Sequence, residues 1–133
     1  MARILVIDDE PDVRDSLAMV LQQAGHTVAT AADGPAGLES FRRNPVDLIL
    51  TDIIMPRGNG VDLIRTLRAA APALRIIAIS GGGNFGLGAY APQAITTTAY
   101  LAAARDAGAD AVLTKPFDRD TLLAVVAQVI PGS

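Results

Sequence analysis

Ile4-Leu5-Val6-Ile7-Asp8-Asp9-Glu10-Pro11 sets four apolar residues in a row before three acids and a proline. An apolar run this short, rich in β-branched side chains and closed by polar residues, reads as a strand covered on both faces. Pro11 suits the first turn of a helix, where its missing N–H is not needed. The helix it opens carries Val13, Leu17, Val20, Leu21 and Ala24 on one face and ends at Gly25.

Moving outward, the same unit recurs. Leu48-Ile49-Leu50 and Ile76-Ile77-Ala78-Ile79 are further runs of the buried-strand kind, and Thr27 to Ala31 and Ala111 to Thr114 are weaker strand candidates. Helical patterns lie between and after them. Ala36 to Arg43 carries Leu38 and Phe41 and stops before Pro45, and Val61, Ile64 and Leu67 follow Gly60 and stop before Pro72. Thr96 to Ala107 is alanine-rich and closes at Gly108. Leu122, Val125, Val126, Val129 and Ile130 form the last helix, ahead of Pro131-Gly132. Strand and helix alternate five times, which predicts an α/β, doubly wound parallel sheet with helices on both faces. One stretch exceeds this minimal plan. Gly81 to Ile95 contains Gly81, Gly82, Gly83, Gly86, Gly88 and Pro92, and a loop this long is either functional and mobile or an inert insertion.

A chain of 133 residues is expected to form a single domain, 1–133, and its stop just after the fifth helix predicts no output domain. Half of the residues are apolar and only 4% aromatic, so Ala, Val, Ile and Leu must build the core. The net charge of -3 comes with no basic run, which argues against a nucleic-acid partner. The absence of cysteine excludes disulfides, thiolate zinc sites and cysteine nucleophiles. The single histidine, His26, excludes a multi-histidine metal site and is read as structural or surface, not catalytic. The apolar run at the N-terminus is too short for a signal peptide or a membrane span. A soluble, cytoplasmic protein with no membrane partner is expected.

In an open parallel sheet, ligands bind beyond the carboxyl ends of the strands. Asp8 and Asp9 follow the first strand, Asp52 the third, Ser80 ends the fourth, and Lys115 follows the fifth. Each has a plain alternative. Asp8, Asp9 or Glu10 could cap the first helix, Asp52 or Ser80 could open turns, and Lys115 could be a surface lysine. Convergence on one rim favours chemistry instead. Packed carboxylates raise each other's pKa, and a hard divalent cation resolves the repulsion. Mg²⁺ fits, with carboxylates and a phosphate oxygen as ligands. An ionised aspartate can act as a nucleophile toward phosphorus, with a lysine and a hydroxyl steadying the phosphoryl oxygens.

These pieces resemble the receiver domain of two-component response regulators. The resemblance is carried by Ile4 to Glu10, by Asp52-Ile53-Ile54-Met55-Pro56 with Gly60 after it, and by Ser80. It is completed by Ala107-Gly108-Ala109-Asp110 and by Leu113-Thr114-Lys115-Pro116-Phe117. It implies a flavodoxin-like, five-stranded sheet in order 2-1-3-4-5. It makes Asp52 the phospho-acceptor, with Asp8, Asp9, Asp52 and the backbone carbonyl of Ile54 around Mg²⁺. Lys115, Ser80 and Gly81 would contact the phosphoryl group. The implied partners are a sensor histidine kinase or histidine phosphotransfer protein and a downstream protein target, with the chain itself a monomer or weak dimer. No enzyme activity is implied beyond self-phosphorylation and self-dephosphorylation through Asp52, Lys115 and Ser80.

Two positions depart from the family pattern. Val112 stands where an aromatic residue usually reports phosphorylation, and the span from Ser80 to Lys115 is longer than usual. Two other functions compete with this reading. A phosphorylation-independent scaffold conflicts with the intact acidic, serine and lysine positions. A phosphatase with an aspartyl-phosphate intermediate would usually carry a second aspartate where Ile54 stands.

Overall fold

The computed structural model describes residues 2–53, 60–80, 102–115 and 117–130. Strands β1 (Arg3–Ile7), β2 (Thr27–Ala31), β3 (Leu48–Asp52), β4 (Arg75–Ser80) and β5 (Ala111–Thr114) form one sheet in the order β2-β1-β3-β4-β5. Every pairing is parallel. The helices are α1 (Pro11–Gln23), α2 (Gly34–Arg43), α3 (Gly60–Ala70), the stretch 102–107 (α4), and α5 (Arg119–Val129). The expected class and strand order are both present. Ile54, Gly81, the whole Gly81 to Ile95 segment, residues 96–101, Pro116 and Pro131-Gly132 lie outside the described residues.

Alternation along the strands sorts the core into two layers. Leu5 and Ile7 of β1, Ile49 of β3 and Ile76 and Ala78 of β4 pack with Val61, Ile64 and Leu67 of α3 and Ala104 and Ala107 of α4. Leu38 and Phe41 of α2 lie against this layer. Ile4, Val6, Leu48, Leu50, Ile77 and Ile79 point the other way, onto Leu17 and Leu21 of α1 and Leu122, Val126 and Val129 of α5. Successive strand residues face opposite sides, so a continuous apolar run is what a sheet covered on both faces requires. Gly37 brings α2 tightly onto β1: a Cβ there would lie 2.3 Å from Ile7 Cδ1.

Caps set the helix ends. Asp33 accepts a hydrogen bond from the Ala36 amide at 2.8 Å, so α2 starts at Gly34, two residues ahead of the sequence reading. Asp118 accepts from the Thr121 amide at 2.7 Å and starts α5. His26 is structural: its Nδ1 accepts from the Ala2 amide at 3.2 Å.

The amino-end edge of the sheet is clamped by Arg68 on α3. Its guanidinium donates to the Gly108 carbonyl at 3.2 and 2.6 Å, to Pro72 O at 2.9 Å, to Leu74 O, and to Asp110 Oδ2 at 2.8 Å. Asp110 Oδ2 also accepts the Ile76 amide at 2.8 Å. With that edge closed, the polar residues left at the carboxyl ends define the opposite rim.

Candidate functional site

Asp8 is the first residue beyond β1, and it is fully buried. Its amide donates to Ala31 O at 3.2 Å, extending the β1–β2 ladder by one bond. Its Oδ1 accepts from the Glu10 amide at 2.9 Å. Glu10 is the N-cap residue of α1 and makes no side-chain capping bond. Asp8 therefore ties the turn ahead of the helix, and neither it nor Glu10 caps a helical amide.

Asp52 and Ser80 are the last residues of β3 and β4, at the same edge, and both are buried. Lys115 follows β5 directly, and its amide donates to Ser80 O at 2.9 Å. That bond carries the β4–β5 pairing one step further and brings the lysine side chain back to the rim. Lys115 Nζ lies 3.1 Å from Asp8 Oδ2 and 3.5 Å from Asp52 Oδ2. Asp9 completes the group, with one carboxylate oxygen from each of Asp8, Asp9 and Asp52 within 4.8 Å of the others. Five of the seven residues singled out in the sequence thus meet on one rim; Ile54 and Gly81 lie outside the described residues.

The electrostatics of the rim are lopsided. Among the described residues, the three clustered carboxylates face one ammonium group. Burial pulls the pKa of Lys115 down, but the charges of Asp52 and Asp8, the hydrogen bond to Asp8 and the charge of Glu10 outweigh it. The lysine is held above its ordinary value and stays protonated. Ser80 Oγ is buried and has no hydrogen-bond partner among the described residues. Such an orphaned hydroxyl costs about 1–3 kcal/mol.

The backbone under Asp52 is fixed from both sides. Thr51 Oγ1 donates to Asp52 O at 3.0 Å, and the Gly60 amide donates to Ile53 O at 2.9 Å. A further cation stands behind Asp8, where Arg14 Nη1 donates to the Asp8 carbonyl at 2.7 Å. The sequence reading did not single out Thr51 or Arg14. A lone threonine within an apolar run and an arginine six positions past Asp8 carry no periodic signal.

A parallel sheet whose carboxyl-end rim gathers acids, a hydroxyl and a lysine defines a class of signalling domain. The response regulator receiver domain model matches residues 4–127, and the chain belongs to that family, the receivers of two-component systems. Receiver domains are signalling modules and generally not enzymes. The alkaline phosphatase synthesis transcriptional regulatory protein SphR of Synechococcus elongatus is 37% identical over 133 residues, covering 92% of this chain and 46% of that protein. Response regulator MprA of Mycobacterium ulcerans is 36% identical over 122 residues, covering 92% and 47%. The chain spans about half the length of the curated relatives it matches.

Among solved structures, the receiver domain of NtrX from Brucella abortus matches with a TM-score of 0.80 at 32% identity, covering 98% of this chain and 99% of that one. Chemotaxis protein CheY4 of Vibrio cholerae matches with a TM-score of 0.81 at 26% identity, with the same coverage of 98% and 99%. SphR is named a transcriptional regulatory protein, so the expectation of no nucleic-acid partner finds no support in this relative. None of the described helices is long and apolar enough to cross a membrane.

Proposed function

We propose that the chain is a phosphorylation switch in which Asp52 accepts a phosphoryl group from a sensor histidine kinase or histidine phosphotransfer protein. An oxygen of the Asp52 carboxylate forms the new P–O bond as the P–N bond to the donor histidine breaks. The donor imidazole leaves with that electron pair. The observation that carries this reading is the position of Lys115, within 3.5 Å of Asp52 and 3.1 Å of Asp8. A fixed positive charge beside a buried carboxylate stabilises negative charge arriving on phosphoryl oxygens, which is most of what this transfer demands.

The donor set suits Mg²⁺. Its ligands are hard carboxylate oxygens, close enough to share one ion and too negative for one lysine to balance. Asp8, Asp9 and Asp52 would hold it, joined by the carbonyl of Ile54. Mg²⁺ supplies charge neutralisation and a fixed place for a phosphoryl oxygen. The orphaned Ser80 hydroxyl gives that oxygen a donor, and the Gly81 amide is a further candidate. Self-dephosphorylation returns the switch to rest: a water attacks the same phosphorus, the P–O bond to Asp52 breaks, the carboxylate leaves with that electron pair, and inorganic phosphate departs. The changed surface is then read by a downstream protein.

A small phosphodonor with Mg²⁺ tests this. Wild type is expected to gain base-labile, hydroxylamine-sensitive phosphate, lost in Asp52→Asn and in excess chelator. Full labelling of Asp52→Asn overturns the acceptor. A wild type that binds no beryllofluoride with Mg²⁺ favours the scaffold reading instead.

A further inference from the structure

The turn joining β1 to α1 consists of Asp8, Asp9 and Glu10, and it supplies two of the three clustered carboxylates. Arg14 reaches back onto this turn twice. Its amide donates to Glu10 O at 3.0 Å, and its Nη1 donates to Asp8 O at 2.7 Å. The second bond is charge-assisted and short, the stronger kind. Asp8 is thereby held at four points. Its amide is tied to Ala31, its Oδ1 to Glu10, its Oδ2 to Lys115 and its carbonyl to Arg14.

We propose that Arg14 is a positioning residue for the acidic rim, fixing the Asp8 carbonyl so that the Asp8 and Asp9 carboxylates converge on one Mg²⁺. This deepens the reading of the rim as a Mg²⁺ site and depends on it. Arg14 is not itself a ligand. Its guanidinium occupies the backbone side of Asp8, while Lys115 occupies the carboxylate side.

The two effects of Arg14 oppose each other, which makes the sign of the change informative. Its charge repels a cation, so a purely electrostatic role makes its removal tighten Mg²⁺ binding. Its hydrogen bond orders the turn, so a positioning role makes its removal weaken binding. Residues that orient metal ligands without touching the ion typically account for about 10–100-fold in affinity.

The test is calorimetric Mg²⁺ titration of wild type, Arg14→Met and Arg14→Lys, with the fold of each checked by circular dichroism. Arg14→Met keeps the stem and removes the donors. It is expected to bind Mg²⁺ about 10–100-fold more weakly. Its Glu10 amide is expected to exchange hydrogen faster in the metal-free protein. Arg14→Lys, which keeps the charge and a donor, is expected to recover most of the affinity. Equal or tighter Mg²⁺ binding by Arg14→Met overturns the proposal, as does a Lys variant no tighter than the Met variant. Arg14→Leu takes the place of Arg14→Met, with the same expectation, if the latter does not fold. A wild type that binds no Mg²⁺ overturns the metal site and Arg14's role with it, an outcome distinct from the others.

Discussion

A Cβ placed on Gly60 would lie 2.6 Å from the carbonyl oxygen of Asp52. The same atom would meet Ile53 Cα at 2.6 Å and Ile53 O at 2.8 Å. The start of α3 therefore sits on the backbone that presents Asp52, and only hydrogen leaves room for it. All three obstructing atoms are backbone and cannot swing aside.

Gly60→Ala is accordingly expected to push α3 away from β3 or to tilt Asp52. Overpacking of this kind costs about 1–3 kcal/mol. Urea unfolding measures the loss, and phosphate acceptance from a small donor is expected to fall with it. A variant of wild-type stability and acceptance would show that the two segments separate freely.

Lys115→Ala removes the cation lying between Asp8 and Asp52. The remaining carboxylates then attract a divalent ion more strongly, so Mg²⁺ is expected to bind tighter than to wild type. Phosphate acceptance is expected to weaken, because the phosphoryl oxygens lose their fixed positive partner. Arginine is not an adequate substitute, since its planar fork presents charge differently. Tighter metal binding with undiminished phosphorylation would remove Lys115 from the transfer.

Arg68→Ala opens the clamp at the amino-end edge. Hydrogen bonds from charged groups contribute about 1.5–3 kcal/mol, and this guanidinium serves three carbonyls and Asp110. A loss of at least that size is expected in denaturant unfolding. Mg²⁺ affinity is expected to hold, because the clamp lies at the opposite edge from the acids. Arg68→Lys, with a single ammonium, should recover little of the stability.

Asp118 offers a pH signature. The Thr121 amide, followed by the Thr121 side chain, holds its carboxyl below the ordinary aspartate range. Its folded pKa is lower than its unfolded one, so its cap stabilises fully above the unfolded value. That contribution fades as pH falls through the folded value. The stability gap between wild type and Asp118→Ala is expected at neutral pH and to close in strong acid. A gap that persists unchanged in acid would assign the cap to packing.

Much of this was legible in the chain. β2 and β5 run over the residues the pattern marked, β4 ends at Ser80 as read, and β3 runs on to Asp52, a polar end that an apolar pattern cannot include. Pro11 marked the start of α1, but periodicity missed that of α2: Gly34-Pro35 hid its first turn, and only the Asp33 cap reveals it. The rim was legible because topology alone sends strand ends to one place. The supports behind it were not. Thr51, Arg14 and Arg68 act through backbone carbonyls, and a carbonyl has the same identity at every position of a sequence. Which of Asp8, Asp9 and Glu10 would cap α1 was also beyond reach, since aspartate and glutamate alike suit an N-terminal turn.

The Lys115–Asp8 contact joins residues 107 positions apart. A ribosome must therefore have delivered the chain as far as Lys115 before the two meet. While a protein is being made, its amino-terminal part folds first. Here that part would display acids without their lysine, until β5 adds itself to the edge of the sheet. Long-range parallel pairing also folds slowly. On the proposed reading, an unfinished molecule can hold an acceptor aspartate yet lack the charge that makes acceptance productive. Competence to signal would arrive only once β5 and Lys115 have been made, as a by-product of strand order.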